Sequence, residues 1–236
     1  FFTEDVVQEI KPLLLTNGTG HLRDLLLELL TASQSSRWLI PELEQLSLTQ
    51  SEEKHTRMLA YRCILKVCNY DPYSSIEQLE KEASTTSLRM VVDAFEKIGF
   101  SNITTKEIET FLRSCFSLYH RNCGRTYGER YFIKALIKQL QKTTVENLLD
   151  SLSKDLLCTC EKEAFECQCR HGVSKIIGSL LDRYFELTKP PYDPLRIWGW
   201  VQNLNFANSS YSSDIKSVKV LQEDNVLRQG IIRHVF

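Results

Sequence analysis

Apolar residues recur at intervals of three and four along nearly the whole chain, with polar residues between them. In the segment 86–98 the apolar positions form one stripe of a helical wheel, and no strand-like alternation is present. About twelve such segments are joined by short polar turns, so the pattern predicts an all-α chain without a sheet. A further stripe, in the segment 21–30, consists of Leu22, Leu25, Leu26, Leu29 and Leu30.

The segment 52–68 predicts a helix in which nearly all residues from Met58 to Cys68 are apolar or small. After its first turns the only charged residues are Arg62 and Lys66, which are four residues apart and so lie on one face. We therefore expect an inner helix that is covered by protein on most of its circumference, with Cys63 and Cys68 among its buried residues.

Local signals predict where several helices begin. Thr49 followed by Glu52 predicts a capping box, in which a hydroxyl and a carboxylate accept hydrogen bonds from backbone N–H groups of the first turn. Thr104 followed by Glu107 predicts a second capping box. Pro194 predicts the start of a later helix, because proline fits the first helical position.

Pairing consecutive helices gives about six hairpins with a spacing of about 40 residues, which matches the period of HEAT and armadillo arrays. We expect an irregular α-solenoid of antiparallel helix pairs, because many similar helices stack more readily than they surround one core. A compact helical bundle is the alternative, since no residue pattern recurs strictly. The solenoid interpretation gives a helical-repeat array at 1–157, a Cys-rich loop at 158–172 and further helical hairpins at 173–236.

Composition and charge narrow the classes of partner. Apolar residues make up 42% and charged residues 25%, as in ordinary soluble globular proteins, and the formal net charge is −1. A chain this close to neutral has no overall field that attracts nucleic acid or an anionic membrane. No apolar run approaches the roughly 18 residues needed to cross a bilayer, so we expect no membrane partner.

Five potential metal ligands are concentrated in 14 positions around the Cys-rich loop. Four thiols and an imidazole can complete a tetrahedral zinc site, although the Cys-x-Cys spacing differs from the usual Cys-x-x-Cys. Free thiols and disulfides are the alternatives, and a chain with ample core material favours free thiols in a reducing cytoplasm. The candidate zinc ligands are Cys158, Cys160, Cys167, Cys169 and His171.

A mild cluster of basic residues lies between positions 121 and 138, interleaved with aromatic residues. The last three of its cations are four residues apart, so they predict a basic stripe along one helix face. Such a stripe can contact phosphates or an acidic partner, whereas the simpler alternative is a solvated face. The candidate binding residues are Arg121, Arg125, Arg130, Lys134 and Lys138.

The sequence lacks the short motifs by which many enzymes are identified. It contains no phosphate-binding loop, no His-Glu-x-x-His, no Gly-x-Ser-x-Gly and no dinucleotide-binding fingerprint. Its carboxylates are spread along polar helical faces. We therefore expect no catalytic residues in this chain.

Two segments, 25–29 and 56–65, resemble the helical repeats that follow the ATPase module in bacterial NACHT-type (STAND) signal-transduction NTPases. The resembling portion runs from Leu22 to Leu157. In that family the corresponding helix is Ala-rich and ends in Gly-Asp, whereas the sequence here at 69–71 is Asn-Tyr-Asp. The resemblance implies a HEAT-like sensor or scaffold module, with nucleotide chemistry carried out by an upstream domain.

These observations predict a non-catalytic, cytoplasmic scaffold or sensor module that binds a protein partner or a partner domain. The chain begins at Phe1 without a Met and ends at Phe236 within a helical pattern, so we expect it to be part of a longer protein, which the resemblance implies is a multidomain NTPase. The alternatives are a nucleic-acid-binding helical array that uses the basic stripe, and a zinc-stapled helical domain.

Overall fold

The computed structural model of the protein describes residues 3–16, 20–33, 35–118, 131–156, 169–204 and 216–235. Every regular element in these ranges is a helix: thirteen α-helices and four short 3₁₀ helices, with no strand among them. The prediction of an all-α chain is therefore confirmed. None of the helices in these ranges is long and apolar enough to cross a membrane.

The chain forms two compact units, Phe1–Asn102 and Ile103–Phe236. The boundary falls inside the segment 1–157 that we predict to be one array. The predicted division at 157 and 172 stays a prediction, because residues 157–168 lie outside the described ranges.

The first unit contains six α-helices and two 3₁₀ helices, Ser35–Trp38 and Phe100–Asn102. The inner helix predicted at 52–68 is the fourth of them, and it contacts the second, third and sixth helices. Buried residues cover most of its circumference, with the half-buried Met58 and Arg62 on the remaining side, which confirms the predicted inner position. The α-helices are α1 Glu4–Leu15, α2 Gly20–Thr31, α3 Ile40–Leu48, α4 Lys54–Leu65, α5 Tyr73–Glu82 and α6 Thr85–Ile98.

The predicted capping box at the start of α4 is wrong. The Thr49 hydroxyl donates to the backbone carbonyl of Gln45 at 2.6 Å, so it closes the end of α3. The Glu52 carboxylate accepts from Arg23 Nη2 at 2.7 Å, and α4 begins after Glu53 without a side-chain cap. The Glu52 carboxylate therefore bonds the buried Arg23 instead of the backbone N–H group that the local pattern predicts.

The predicted end of α4, and the burial of Cys68, are also wrong. The helix ends at Leu65, where the Val67 N–H bonds to the Ile64 carbonyl and tightens the last turn. The chain then turns away from the helix axis, which leaves Cys68 exposed, whereas Cys63 is fully buried.

A buried arginine fastens four helices of this unit together. Arg57 donates from Nη1 and Nη2 to the two oxygens of Glu82, at 2.9 and 2.6 Å, and from Nε to the Ser47 carbonyl at 2.9 Å. Glu82 also accepts from the Ser84 hydroxyl at 2.6 Å. Ser84 in turn caps α6, as its hydroxyl accepts from the Ser87 N–H at 3.0 Å. The network therefore joins α4 to the ends of α3 and α5 and to the start of α6.

The second unit contains seven α-helices and two 3₁₀ helices, Cys115–Leu118 and Ser153–Leu156. Its longest helix, Cys169–Leu187, contacts the helices Tyr131–Gln139, Lys142–Leu152 and Lys216–Glu223. Gly172 permits its close approach to Phe116, because a Cβ there would lie 2.2 Å from the Phe116 carbonyl oxygen. The α-helices are α7 Thr105–Ser114, α8 Tyr131–Gln139, α9 Lys142–Leu152, α10 Cys169–Leu187, α11 Pro194–Val201, α12 Lys216–Glu223 and α13 Asn225–Val235.

Two predicted helix starts in this unit are confirmed. The Thr104 hydroxyl accepts from the Glu107 N–H at 3.2 Å, and the Glu107 carboxylate accepts from the Thr104 N–H at 2.7 Å. Pro194 occupies the first turn of α11, after Asp193, whose carboxylate accepts from two backbone N–H groups. These caps form because both partners lie within one turn of chain.

Replacing Arg57 with Met should destabilise the protein by about 3–5 kcal/mol, because it leaves the Glu82 carboxylate buried without its partner. Urea denaturation followed by circular dichroism measures this. The control is Lys81→Met, which removes an exposed cation paired with Glu77, and its effect should stay below about 1 kcal/mol. Equal effects of the two variants would contradict the role given to Arg57.

The Arg57–Glu82 pair should also make stability depend on pH. Burial raises the pKa of Glu82, but hydrogen bonds from Arg57 and Ser84 outweigh burial and place the pKa below its ordinary value. The stabilisation is therefore present above the unfolded pKa and is lost as the pH falls through the folded pKa.

A Glu82→Gln variant should accordingly be about 1.5–3 kcal/mol less stable than the wild type at pH 7. The difference should narrow as the pH falls below about 4.3, where the carboxyl of the unfolded wild-type chain becomes protonated, and should be smallest below the lowered pKa of the folded state. Urea denaturation at pH 7, 5 and 3.5 measures it, with the exposed Glu96→Gln as control. A difference that does not change with pH would contradict the assignment.

Candidate functional site

The structure places few of the predicted zinc ligands. Cys158, Cys160 and Cys167 lie outside the described residues, and for Cys169 and His171 only the backbone is described, in the first turn of α10. Among the described side chains, no group of three or more His, Cys, Asp and Glu is arranged to hold a metal ion. The zinc site at the Cys-rich loop therefore stays a prediction.

The structure describes only part of the predicted basic stripe. Arg121, Arg125 and Arg130 lie outside the described residues. Lys134 and Lys138 lie on the exposed face of α8, opposite its buried residues. Two exposed lysines on one helix do not by themselves distinguish a binding surface from a solvated face.

A stripe of exposed leucines runs along α2. Leu22, Leu25 and Leu29 are 46%, 44% and 53% exposed. At 100° per residue these three positions lie within an arc of about 60°, and the half-buried Leu26 borders them. We call Leu22, Leu25 and Leu29 the leucine stripe. It is a continuous apolar face along about two turns of one helix.

The opposite face of α2 carries the residues that hold the helix in the first unit. Leu27 and Leu30 are fully buried, and the helix packs along α4. The Arg23 side chain, also buried, pairs with Glu52 at 2.7 Å. Its Nε and Nη1 atoms are buried without an acceptor, so they are out of reach of any group at the surface.

Polar contacts fix the rotation of α2 about its own axis. The Thr56 hydroxyl of α4 donates to the Asp24 carboxylate at 2.7 Å, at the N-terminal end of α2. The Cys63 thiol donates to the Leu27 carbonyl at 3.2 Å and lies 3.0 Å from the Thr31 hydroxyl, at the C-terminal end. Since both ends of one face are bonded to α4, the leucine stripe is held facing away from it.

The exposed charges of α1 and α2, beside the leucine stripe, are mostly acidic, and an exposed cation, Arg37, lies on the neighbouring 3₁₀ helix Ser35–Trp38. On α1 and α2, the ionised residues that are exposed as a whole are all carboxylates, and the Lys11 side chain, 42% exposed, is paired with Glu42. The two cations of these helices form ion pairs within the first unit, Lys11 with Glu42 and Arg23 with Glu52. The exposed carboxylates are Glu4, Asp5, Glu9 and Glu28.

A second candidate is an open groove of about 520 Å³ in the second unit, beside Trp200. Asp150 accepts from the Trp200 indole N–H at 2.7 Å and from Arg196 at 2.8 and 3.3 Å, and Arg196 also donates to Glu146 at 3.1 Å. Burial raises the pKa of Asp150, but the bonds from Arg196 and Trp200 outweigh it and lower the pKa. Because protein N–H groups already occupy this carboxylate, the cluster serves to hold α11 against α9.

Comparison of the chain with protein-family models, with curated proteins and with solved structures gave no significant match. Function is therefore inferred from the residues and their geometry.

The leucine stripe is the surface that the sequence pattern misses. The apolar positions of 21–30 predict one buried face, yet Leu22, Leu25 and Leu29 are exposed and Leu27 is fully buried. A signal was present: with Leu25, Leu26 and Leu27 consecutive, apolar side chains occupy more of the helix than one face can bury.

The exposure of Cys68 and the burial of Cys63 should be visible in thiol chemistry. Burial raises the pKa of the Cys63 thiol to about 11, so it is almost wholly protonated near neutral pH as well as enclosed. Brief treatment of the native protein with iodoacetamide at pH 7.5, followed by peptide mapping, should modify Cys68 and leave Cys63 unmodified. Urea-unfolded protein, in which both react, is the control; native labelling of Cys63 would contradict its placement.

Proposed function

We propose that this chain is a non-catalytic, protein-binding helical module, and that the leucine stripe of α2 is its binding surface. The observation that carries the proposal is the exposure of three leucines, each 44–53% exposed, on one face of a helix whose other face is fixed in the core. Single exposed apolar residues are normal on protein surfaces, whereas a continuous apolar stripe marks an interaction site.

The architecture supports a binding role. Helices packed side by side, such as α4 between α2, α3 and α6, present long surfaces without needing a catalytic cluster. We infer an irregular HEAT-like stack of helix pairs for this arrangement, and a place for the module as the sensor or scaffold of a larger NTPase, as the sequence resemblance implies.

The leucine stripe can be tested without unfolding the protein. In the double variant Leu25→Gln/Leu29→Gln, glutamine keeps helix propensity and the replaced side chains are exposed, so stability should change by less than about 1 kcal/mol. The matched control is Leu195→Gln, which replaces a leucine that is 49% exposed on α11 in the second unit.

A peptide-display library of unbiased composition should be selected on the immobilised wild-type chain and then tested on both variants. Selected peptides should lose at least tenfold in affinity on the Leu25→Gln/Leu29→Gln variant and keep their affinity on Leu195→Gln. If selection yields no peptide whose binding depends on the leucine stripe, the proposed function is wrong.

A further inference from the structure

We propose that the leucine stripe binds an amphipathic helix whose leucine-rich seam is flanked by lysines or arginines. This inference rests on the proposed function and names the chemistry of the partner. It follows from the shape of the stripe and from the charges that surround it.

The shape of the stripe fits a helix. Leu22, Leu25 and Leu29 follow one another at intervals of three and four, the spacing at which a second helix presents its own apolar side chains. With 12 residues, α2 is about 18 Å long, so a partner helix of about three turns covers it. Extended peptides that bind by adding a strand need an open sheet edge, and none of the described elements is a strand.

The charges beside the stripe select a basic partner. Glu28 lies next to Leu29 on an exposed surface of α2, and the adjoining α1 exposes three further carboxylates, Glu4, Asp5 and Glu9. The cations Lys11 and Arg23 are already paired with Glu42 and Glu52. Lysines or arginines flanking the partner's seam would meet unpaired carboxylates, which favours both encounter and orientation.

A second copy of the chain is a poor occupant for the same surface. Two leucine stripes facing each other would bring together two acidic surfaces, and like charges disfavour association.

An anionic membrane is disfavoured by the same charges. Helices that lie on membrane surfaces carry lysines and arginines beside their apolar face, which are attracted to acidic lipids. The charged residues that are exposed as a whole on α1 and α2 have the opposite sign. A basic helix therefore agrees with both the apolar and the charged parts of this surface.

The test uses two designed 18-residue peptides with the same leucine seam, one flanked by lysines and one by glutamates. Each is labelled with fluorescein, and binding to the full chain is followed by fluorescence anisotropy. The lysine peptide should bind at least tenfold more tightly than the glutamate peptide, and its affinity should fall as NaCl is raised from 50 to 500 mM. Binding should be lost in Leu25→Gln/Leu29→Gln and kept in Leu195→Gln.

Charge reversal at Glu28 tests the electrostatic part separately. Glu28→Lys should weaken binding of the lysine peptide about two- to fivefold and strengthen binding of the glutamate peptide. The matched control is Glu223→Lys, which reverses an exposed carboxylate on α12 in the second unit and should change neither affinity.

Four outcomes would overturn the inference. If both designed peptides bind the leucine stripe equally well, the partner need not be basic. The same holds if the library yields peptides that bind the stripe but lack basic flanks. In both cases the proposed function stands. A wild-type dimer that Leu25→Gln/Leu29→Gln converts to a monomer in analytical ultracentrifugation would assign the stripe to self-association. Binding of neither peptide would also refute the inference, and the library selection would then decide the proposed function independently.

Discussion

The first unit depends on a single buried guanidinium. Arg57 bonds both oxygens of Glu82 and the carbonyl of Ser47, so one side chain ties α4 to the ends of α3 and α5. An ion pair taken out of water is stabilising only when its remaining hydrogen-bonding groups are also satisfied. The Ser84 hydroxyl donates a further hydrogen bond to Glu82 and also caps α6. The ion pair and the start of α6 are therefore linked through this one hydroxyl group.

The position of α4 in turn determines which surface α2 exposes. Thr56 and Cys63 lie on α4 and bond to the two ends of α2, and Arg23 reaches the Glu52 carboxylate just before α4 begins. These contacts hold α2 so that the face with its bonded polar groups and its buried aliphatic side chains points into the core. The leucine stripe remains outside, because one helix cannot turn leucines on nearly all its sides toward the same neighbour.

The second unit joins its helices by a related device. Arg196 on α11 is bonded to Asp150 and Glu146 on α9, and Trp200 donates to the same aspartate. This cluster is partly open to solvent, with the Asp150 side chain 42% exposed, so we expect it to contribute less to stability than the enclosed Arg57–Glu82 pair. In both units a charged network orients helices whose attraction is supplied by apolar burial.

The sequence by itself determined the helical class, the inner position of α4 and the caps at Thr104 and Pro194, because these depend on periodicity and on residues within one turn of each other. Only the tertiary structure decided how Glu52 is used, where α4 ends and which side of α2 is exposed. The Glu52 carboxylate can accept a hydrogen bond either from a nearby backbone N–H or from Arg23, which is distant in the sequence. Leucines on most sides of α2 do not indicate which side faces the core. Such choices depend on contacts between residues far apart in the chain, which local patterns do not contain.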